Sequence, residues 1–386
     1  MNIFSNQRFK FSLPDDVHFI NAAYMSPLLK TVEEAGINGL LRKRFPGSIQ
    51  PDDFFDDAIV LKEKFAKLIN GNALQVAIVP SASYGLASVF QNIKPGFGNK
   101  LLMVEDEFPS VYYTMERWCN LNGQSLQIVR RPASFRGRAQ CWNEALLNAI
   151  DVQTTALCLS PIHWMDGLVF DLAAVSNRCR ETGTKLVIDG TQWIGAHPFD
   201  VTNIQPAAVV CAGYKWLMGP YSSGLAWYGE DLLNGQPLEH SWLSRSQARD
   251  FTALTRPDPD WMPGAGRFDM GEYGNFIQLP MMIAAMNQLL EWTPTGIQNY
   301  CSSISMPLRK WLMERELTDD YPTEKSAAHI FSLQMSSMDK AKELAATLKL
   351  KKIYVSVRGT VIRIAPHVYN TNEDFHVLEE VLAANL

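Results

Sequence analysis

The 386-residue sequence is poor in the features that would place it outside an ordinary globular fold. Its six cysteines, at 119, 141, 158, 179, 211 and 301, are scattered, with no Cys-x-x-Cys pair and no zinc-like spacing. That excludes a recognisable metal site and fits reduced, packed thiols in a cytoplasm. No apolar run approaches the length that crosses a bilayer, and the opening MNIFSNQRFKFSLPDD has no apolar h-region of a secretory signal. Charged residues make up 19% and the net charge is −5, with no basic run and no aromatic-basic stripe. A nucleic-acid partner is therefore not expected. The early chain lacks a Gly-x-Gly-x-x-Gly turn, the fingerprint of a nucleotide-binding oxidoreductase on a doubly wound sheet. There is no internal repeat and no low-complexity tract. What remains is 47% hydrophobic and long enough for one large domain and a smaller one.

From about residue 70 to 230, short apolar runs alternate with helical patterns. The runs LQVAIVP, KLLMVEDEF, QSLQIVRR, TTALCLSPI, TKLVIDG and PAAVVCAG read as strands, and SGLAWYG as a further one, antiparallel to the rest. Strands alternating with helices predict βαβ units and a mostly parallel sheet flanked by helices. Residues 234–271 are rich in Pro, Gly and charge without a period, as in a functional loop or an interface. Beyond them, NFIQLPMMIAAMNQLLEW predicts a helix, with Pro280 marking either a kink or a late start. The runs HIFSLQM, KIYVSVRG and TVIRIAP and two further helices predict a smaller α+β C-terminal domain. The expected division is a large domain over 17–271, with 1–16 and 272–386 forming the small one.

Ligands of open α/β sheets bind at the carboxyl ends of the strands. Ser81, Ser83, Phe108, His163, Asp189 and Lys215 fall there in this reading. Lys215, in CAGYKWLMGP, follows an uncharged run, where an ammonium is costly unless it is paired, used, or snorkels to water. Asp189 ends KLVIDG, where Asp-Gly is also a turn signal. Together the two suit pyridoxal-phosphate chemistry. A desolvated lysine carries the cofactor aldehyde, and an aspartate keeps the pyridine nitrogen protonated. A helix N-terminus with hydroxyls, offered by PSASYGLAS, suits the phosphate. A flat side chain, Phe108, suits the ring.

The ordered set VIDGTQ, CAGYK, RFDMG and VIRIAPHVYNT resembles the class V aminotransferase superfamily of fold-type I pyridoxal-phosphate enzymes, which includes cysteine desulfurases, kynureninases and several transaminases. The resemblance runs from FINAAYMSP (19–27) to RIAPHVYNT (363–371). It implies the fold-type I architecture, a Schiff base at Lys215, Asp189 at the pyridinium and Gln192 at the ring hydroxyl. It also implies Ser81, Ala82 and Ser83 around the phosphate, Tyr214 reaching it, Phe108 stacked on the ring, and Arg363 clamping the substrate carboxylate. His163, and beside it Trp164, lie on the loop where the family places a residue near ring and substrate, so His163 is a catalytic candidate. Asn21 and Tyr24, in the N-terminal loop, are substrate-binding candidates. Family members are usually homodimers with shared active sites. The segment 267–275 matches the loop that completes the partner's site, with Arg267 at the interface or in a surface ion pair. Glu272 stands where desulfurases have threonine, so that loop's phosphate contact does not carry over.

The resemblance leaves the reaction open. Desulfurases need a cysteine nucleophile shortly before the arginine, and none occurs between Cys301 and Leu386. The expectation is an aminotransferase acting on an α-amino acid. The alternatives are a kynureninase-like lyase, suggested by FPS and YK; a desulfurase; and, in another class, an inactive binding or regulatory homologue.

Overall fold

The computed structural model describes residues 5–96, 98–133, 137–318 and 326–386. A two-residue strand, β1 (His18–Phe19), precedes seven strands that form the central sheet. These are β2 (Val76–Val79), β3 (Lys100–Val104), β4 (Ser125–Val129), β5 (Thr154–Leu159), β6 (Lys185–Asp189), β7 (Ala208–Ala212) and β8 (Gly224–Tyr228). Their order is β2-β8-β7-β6-β5-β3-β4. Every pairing is parallel except the two made by β8, which is antiparallel to both neighbours, as SGLAWYG suggests. Every residue of β2, β5, β7 and β8 is buried, which explains the unbroken apolar sequences of β2, β7 and β8. Edge strand β4 alternates exposed and half-buried positions.

Alternate residues of one strand feed cores on opposite faces. Val209 and Cys211 of β7 join the core shared with Trp142 and Val175, whereas Ala208 and Val210 join Leu86, Met115 and Trp118. The helix Ala82–Asn92 comes unusually close to β7. A Cβ on Gly85 would lie 2.6 Å from Val210 Cγ1, so the absence of a side chain lets this helix settle on the sheet. Ser81 is its N-cap and accepts from Tyr84 N at 3.1 Å, as its place in the sequence predicts.

The C-terminal region contributes β9 (Phe331–Gln334), β10 (Ile353–Tyr354), β11 (Ser356–Arg358) and β12 (Val361–Ile364). Strands β11, β12 and β9 form an antiparallel sheet in that order, while β10 pairs in parallel with β1. The Asn21–Ala365 bridge extends this contact, so the N-terminal segment is hydrogen-bonded to the C-terminal sheet. Pro280 is the third residue of the helix Gln278–Trp292, inside the first turn where a missing N–H costs nothing. It marks a late start and not a kink. The segment 234–271 holds only short 3-10 turns and ends against β2. There Asp269 accepts from Ile78 N at 2.7 Å and pairs with Lys62 Nζ at 2.5 Å. Among the described residues, no helix is long and apolar enough to cross a membrane.

Candidate active site

Because six central strands run the same way, the segments following β2, β3, β5, β6 and β7 converge on one edge of the sheet. Two adjoining cavities open there, of about 330 Å³ and 420 Å³. Lys215, Phe108, Trp164, Tyr214 and Tyr221 line both. The first is walled by Ser81, Ala82 and Ser83 at the helix N-terminus and by Asp189 and Gln192 after β6. The second is walled by Tyr24, Arg358 and Arg363. Lys215 therefore stands at the junction of a cavity with an anion-binding helix end and one with guanidinium groups.

The backbone around Lys215 is tightly specified. Gly213 N donates to Ser223 O at 2.7 Å, and Gly219 N to Gly213 O at 2.9 Å. A Cβ on Gly213 would fall 2.5 Å from Ser223 Oγ, so a side chain there would displace the turn that presents the lysine. Lys215 is 7% exposed, and Nζ lies 5.4 Å from the Phe108 ring centre and 5.7 Å from that of Tyr214. Burial, helped by the positive charges of Arg363 and Arg358 and opposed by Asp189, brings its pKa down to about 8. A lysine at that value is a usable nucleophile and base near neutral pH.

Asp189 is buried and accepts from Thr191 N at 3.0 Å, while Thr191 Oγ1 accepts from Ala212 N at 3.1 Å. This chain of bonds ties the end of β6 to the end of β7 and fixes the carboxylate relative to Lys215. Burial raises the Asp189 pKa, against the opposing effect of Thr191 and Lys215. A cationic ring nitrogen is the kind of partner that offsets such burial. Gln192 is held by its own amide, donating to Ala23 O at 3.0 Å and accepting from Trp216 Nε1 at 2.8 Å. Ser81 and Ser83 hydroxyls are 2.9 Å apart in front of the helix N-terminus, where the macrodipole favours an anion. Phe108 stands edge-on to Trp164, with ring centres 5.4 Å apart at 86°.

Arg363 is 1% exposed. Its Nη1 donates to Trp164 O at 2.7 Å, leaving Nε and Nη2 buried without a partner. Burial, followed by repulsion from Arg358, lowers its pKa to about 9. Two orphaned, coplanar donors in a buried guanidinium form a fork that matches a carboxylate.

Two of the candidates lie elsewhere. His163 is fully buried and lines neither cavity; Nδ1 lies 3.1 Å from Asp166 Oδ1, and the ring packs on Trp142. Burial opposes its charged form, but Asp166 and Glu107 together lift its pKa above the ordinary value. Its chain neighbour Trp164 takes the place at the cavities. Asn21 accepts from Ser356 Oγ at 2.8 Å and joins the N-terminal segment to β11; it lines neither cavity. Arg267 donates to Gly235 O at 3.4 Å, and Glu272 has φ of 58°, in the left-handed region. Sequence reasoning passed over Ser160, Thr191, Ser223 and Arg358, which line the cavities. Arg358 carried a usable signal: it shares a β-hairpin with Arg363, where two-residue periodicity places both on one face.

Residues 55–376 match the family described as Aminotransferase class-V. An uncharacterized aminotransferase of Bacillus subtilis is 26% identical over 332 residues, covering 84% of this chain and 83% of the relative. An isopenicillin N epimerase of Streptomyces clavuligerus is 22% identical over the same length and shares of chain. Among solved structures, a lysine-to-alanine variant of C-DES, with glycine covalently linked to the PLP cofactor, superposes with a TM-score of 0.84. It is 20% identical, the match covers 98% of this chain and 99% of that one, and the likeness speaks to the fold.

Proposed function

Since the chain belongs to the class-V aminotransferase family, we propose that it is an aminotransferase that binds an α-amino acid between Arg363 and a cofactor carried on Lys215. The cofactor is pyridoxal 5'-phosphate. The residues present fit it. The first cavity offers an amine for the aldehyde, a buried carboxylate for the ring nitrogen, Gln192 for the ring hydroxyl, and the Ser81–Ser83 helix end for the phosphate. When bound, the cofactor supplies an electron sink for the pair left by a breaking bond at the substrate α-carbon.

The chain's own groups do the rest. Asp189 holds a proton at the ring nitrogen. The fork of Arg363 takes both oxygens of the substrate carboxylate, which fixes the α-carbon relative to Lys215. With its lowered pKa, Lys215 Nζ is placed to take the proton from that carbon and to give it up on the cofactor side, the relocation that amino-group transfer requires. Phe108 and Trp164 cover the junction with apolar surface and limit water.

The observation that carries this reading is the buried Lys215 amine standing where the two cavities join, opposite a guanidinium with two unpaired donors. A desulfurase reading lacks its nucleophile. All six cysteines are placed and none lines either cavity; Cys301 is buried in a helix and lies 3.6 Å from Pro366 O. The kynureninase-like lyase is the second reading, supported by Phe108 and Tyr214 at the cavity walls. Screening amino acids with and without an added 2-oxo acid separates the two, because transamination requires the acceptor and lyase turnover does not. We read the chain as a cytoplasmic homodimer. Tyr24 at 55% exposure and Tyr221 at 64% leave an aromatic cavity mouth that a second subunit would cover. Sedimentation of the holoenzyme as a monomer would contradict this.

A further inference from the structure

Arg363 shares its cavity with a second guanidinium that a single carboxylate does not need. In the antiparallel β11–β12 pair, Ser356 stands opposite Arg363 and Arg358 opposite Val361. Opposed residues, and residues two apart on a strand, share a face. Arg358 and Arg363 thus leave the same face at diagonal positions, roughly 7–8 Å apart at the backbone. Both reach the 420 Å³ cavity beside Lys215, and no Asp or Glu lines it. Arg358 is half-buried, lies 5.5 Å from the Trp164 ring centre, and donates from Nη1 to Val357 O at 2.8 Å. No carboxylate pairs with it among the described residues.

Two guanidinium groups therefore face one space beside Lys215, with no protein carboxylate among the described residues that line it. Like charges brought together and partly desolvated are unfavourable unless a ligand supplies the opposite sign. One carboxylate fills the two free donors of Arg363. The fork of Arg358 is then left over in the same cavity, beside the Trp164 ring. We propose that Arg358 forms a side-chain subsite, so that the substrate is an acidic α-amino acid whose side chain ends in a carboxylate. This rests on the reading of the site as an amino-acid site, and it adds what that reading leaves open: the substrate side chain.

The test is calorimetric titration of the holoenzyme with straight-chain dicarboxylates, succinate and glutarate, against butyrate and valerate, which match them in chain length. None carries an amino group, so binding is read without turnover. The dicarboxylates are expected to bind about tenfold tighter or more, the scale of one hydrogen bond to a charged group. R358Q should abolish the difference between the two classes, and R358K should keep part of it. Equal binding of the two classes, no dicarboxylate binding, or a preference surviving in R358Q would overturn the subsite. Reduction with borohydride keeps the two levels apart. Cofactor fixed at Lys215 without dicarboxylate preference sinks the Arg358 subsite alone, whereas failure to fix cofactor sinks the underlying reading. The same reduction on R358Q verifies that the variant is folded.

Discussion

Replacing Arg363 by lysine separates the charge of the carboxylate clamp from its geometry. In the native side chain Nη1 is committed to Trp164 O at 2.7 Å, and Nε and Nη2 are the two buried donors left for a ligand. Lysine keeps the positive charge but presents a single ammonium, which cannot anchor to Trp164 and span both carboxylate oxygens. One hydrogen bond to a charged group is lost, worth about 1.5–3 kcal/mol. At 1.4 kcal/mol per tenfold, this is about a 10- to 150-fold weakening. The contact is made equally in the ground and transition states, so KM should rise by that factor while kcat changes little. Arg363→Met is the companion variant. It removes a positive charge that depresses Lys215, so the lysine should titrate above its native value of about 8, whereas Arg363→Lys should leave it in place. Steady-state kinetics and the pH dependence of cofactor capture read both effects. An unchanged KM in Arg363→Lys, or a fall in kcat with KM untouched, would refute the clamp.

Three further outcomes follow from the same geometry. Asp189→Asn should still take up cofactor reducible onto Lys215, with kcat falling about 100- to 1000-fold, the cost of removing one preorganised charge; a fall of only about threefold would contradict its assignment to the ring nitrogen. The lysine must be uncharged to attack the aldehyde. The rate at which cofactor-free protein captures cofactor should therefore rise through about pH 8 and level off, and a rise continuing past pH 10 would indicate an ordinary lysine. Lys62→Met leaves the fully buried Asp269 carboxylate with Ile78 N–H as its one remaining partner among the described residues, and should cost about 3–5 kcal/mol of stability in denaturant unfolding. Lys62→Met/Asp269→Asn should recover part of that loss, and no recovery would show that the pair is not the cause.

The central sheet was legible because its inner strands are buried on both faces, which leaves apolar runs such as AVVCA with nothing to interrupt them. The positions of Asp189 and Lys215 followed from that, since both sit where a parallel strand ends. Less accessible was anything that depended on which way a loop residue points. His163 and Trp164 are neighbours in one turn, closed by Gly167 N donating to His163 O at 2.9 Å and His163 N to Leu168 O at 2.7 Å. That turn sends the indole to the cavities and the imidazole to Trp142, a choice made by tertiary packing. Asn21 was a polar residue in the right loop, but its amide oxygen is taken up by Ser356. KIYVSVRG read as one run, yet β10 pairs with β1 and β11 with β12, because the N-terminal segment returns to claim part of it. The same merging hid Arg358, whose facing depends on the hairpin register across Gly359.

The central claim is that Lys215 lies buried at the junction of two cavities because its amine carries the cofactor. The most direct test is the visible absorbance of the purified protein before and after borohydride, in the native chain and in Lys215→Ala. A band lost on reduction, with cofactor covalently fixed to a peptide containing Lys215 and none fixed in Lys215→Ala, is the predicted result. A native protein that shows no band after incubation with pyridoxal 5'-phosphate, or that fixes cofactor equally well in Lys215→Ala, would contradict it.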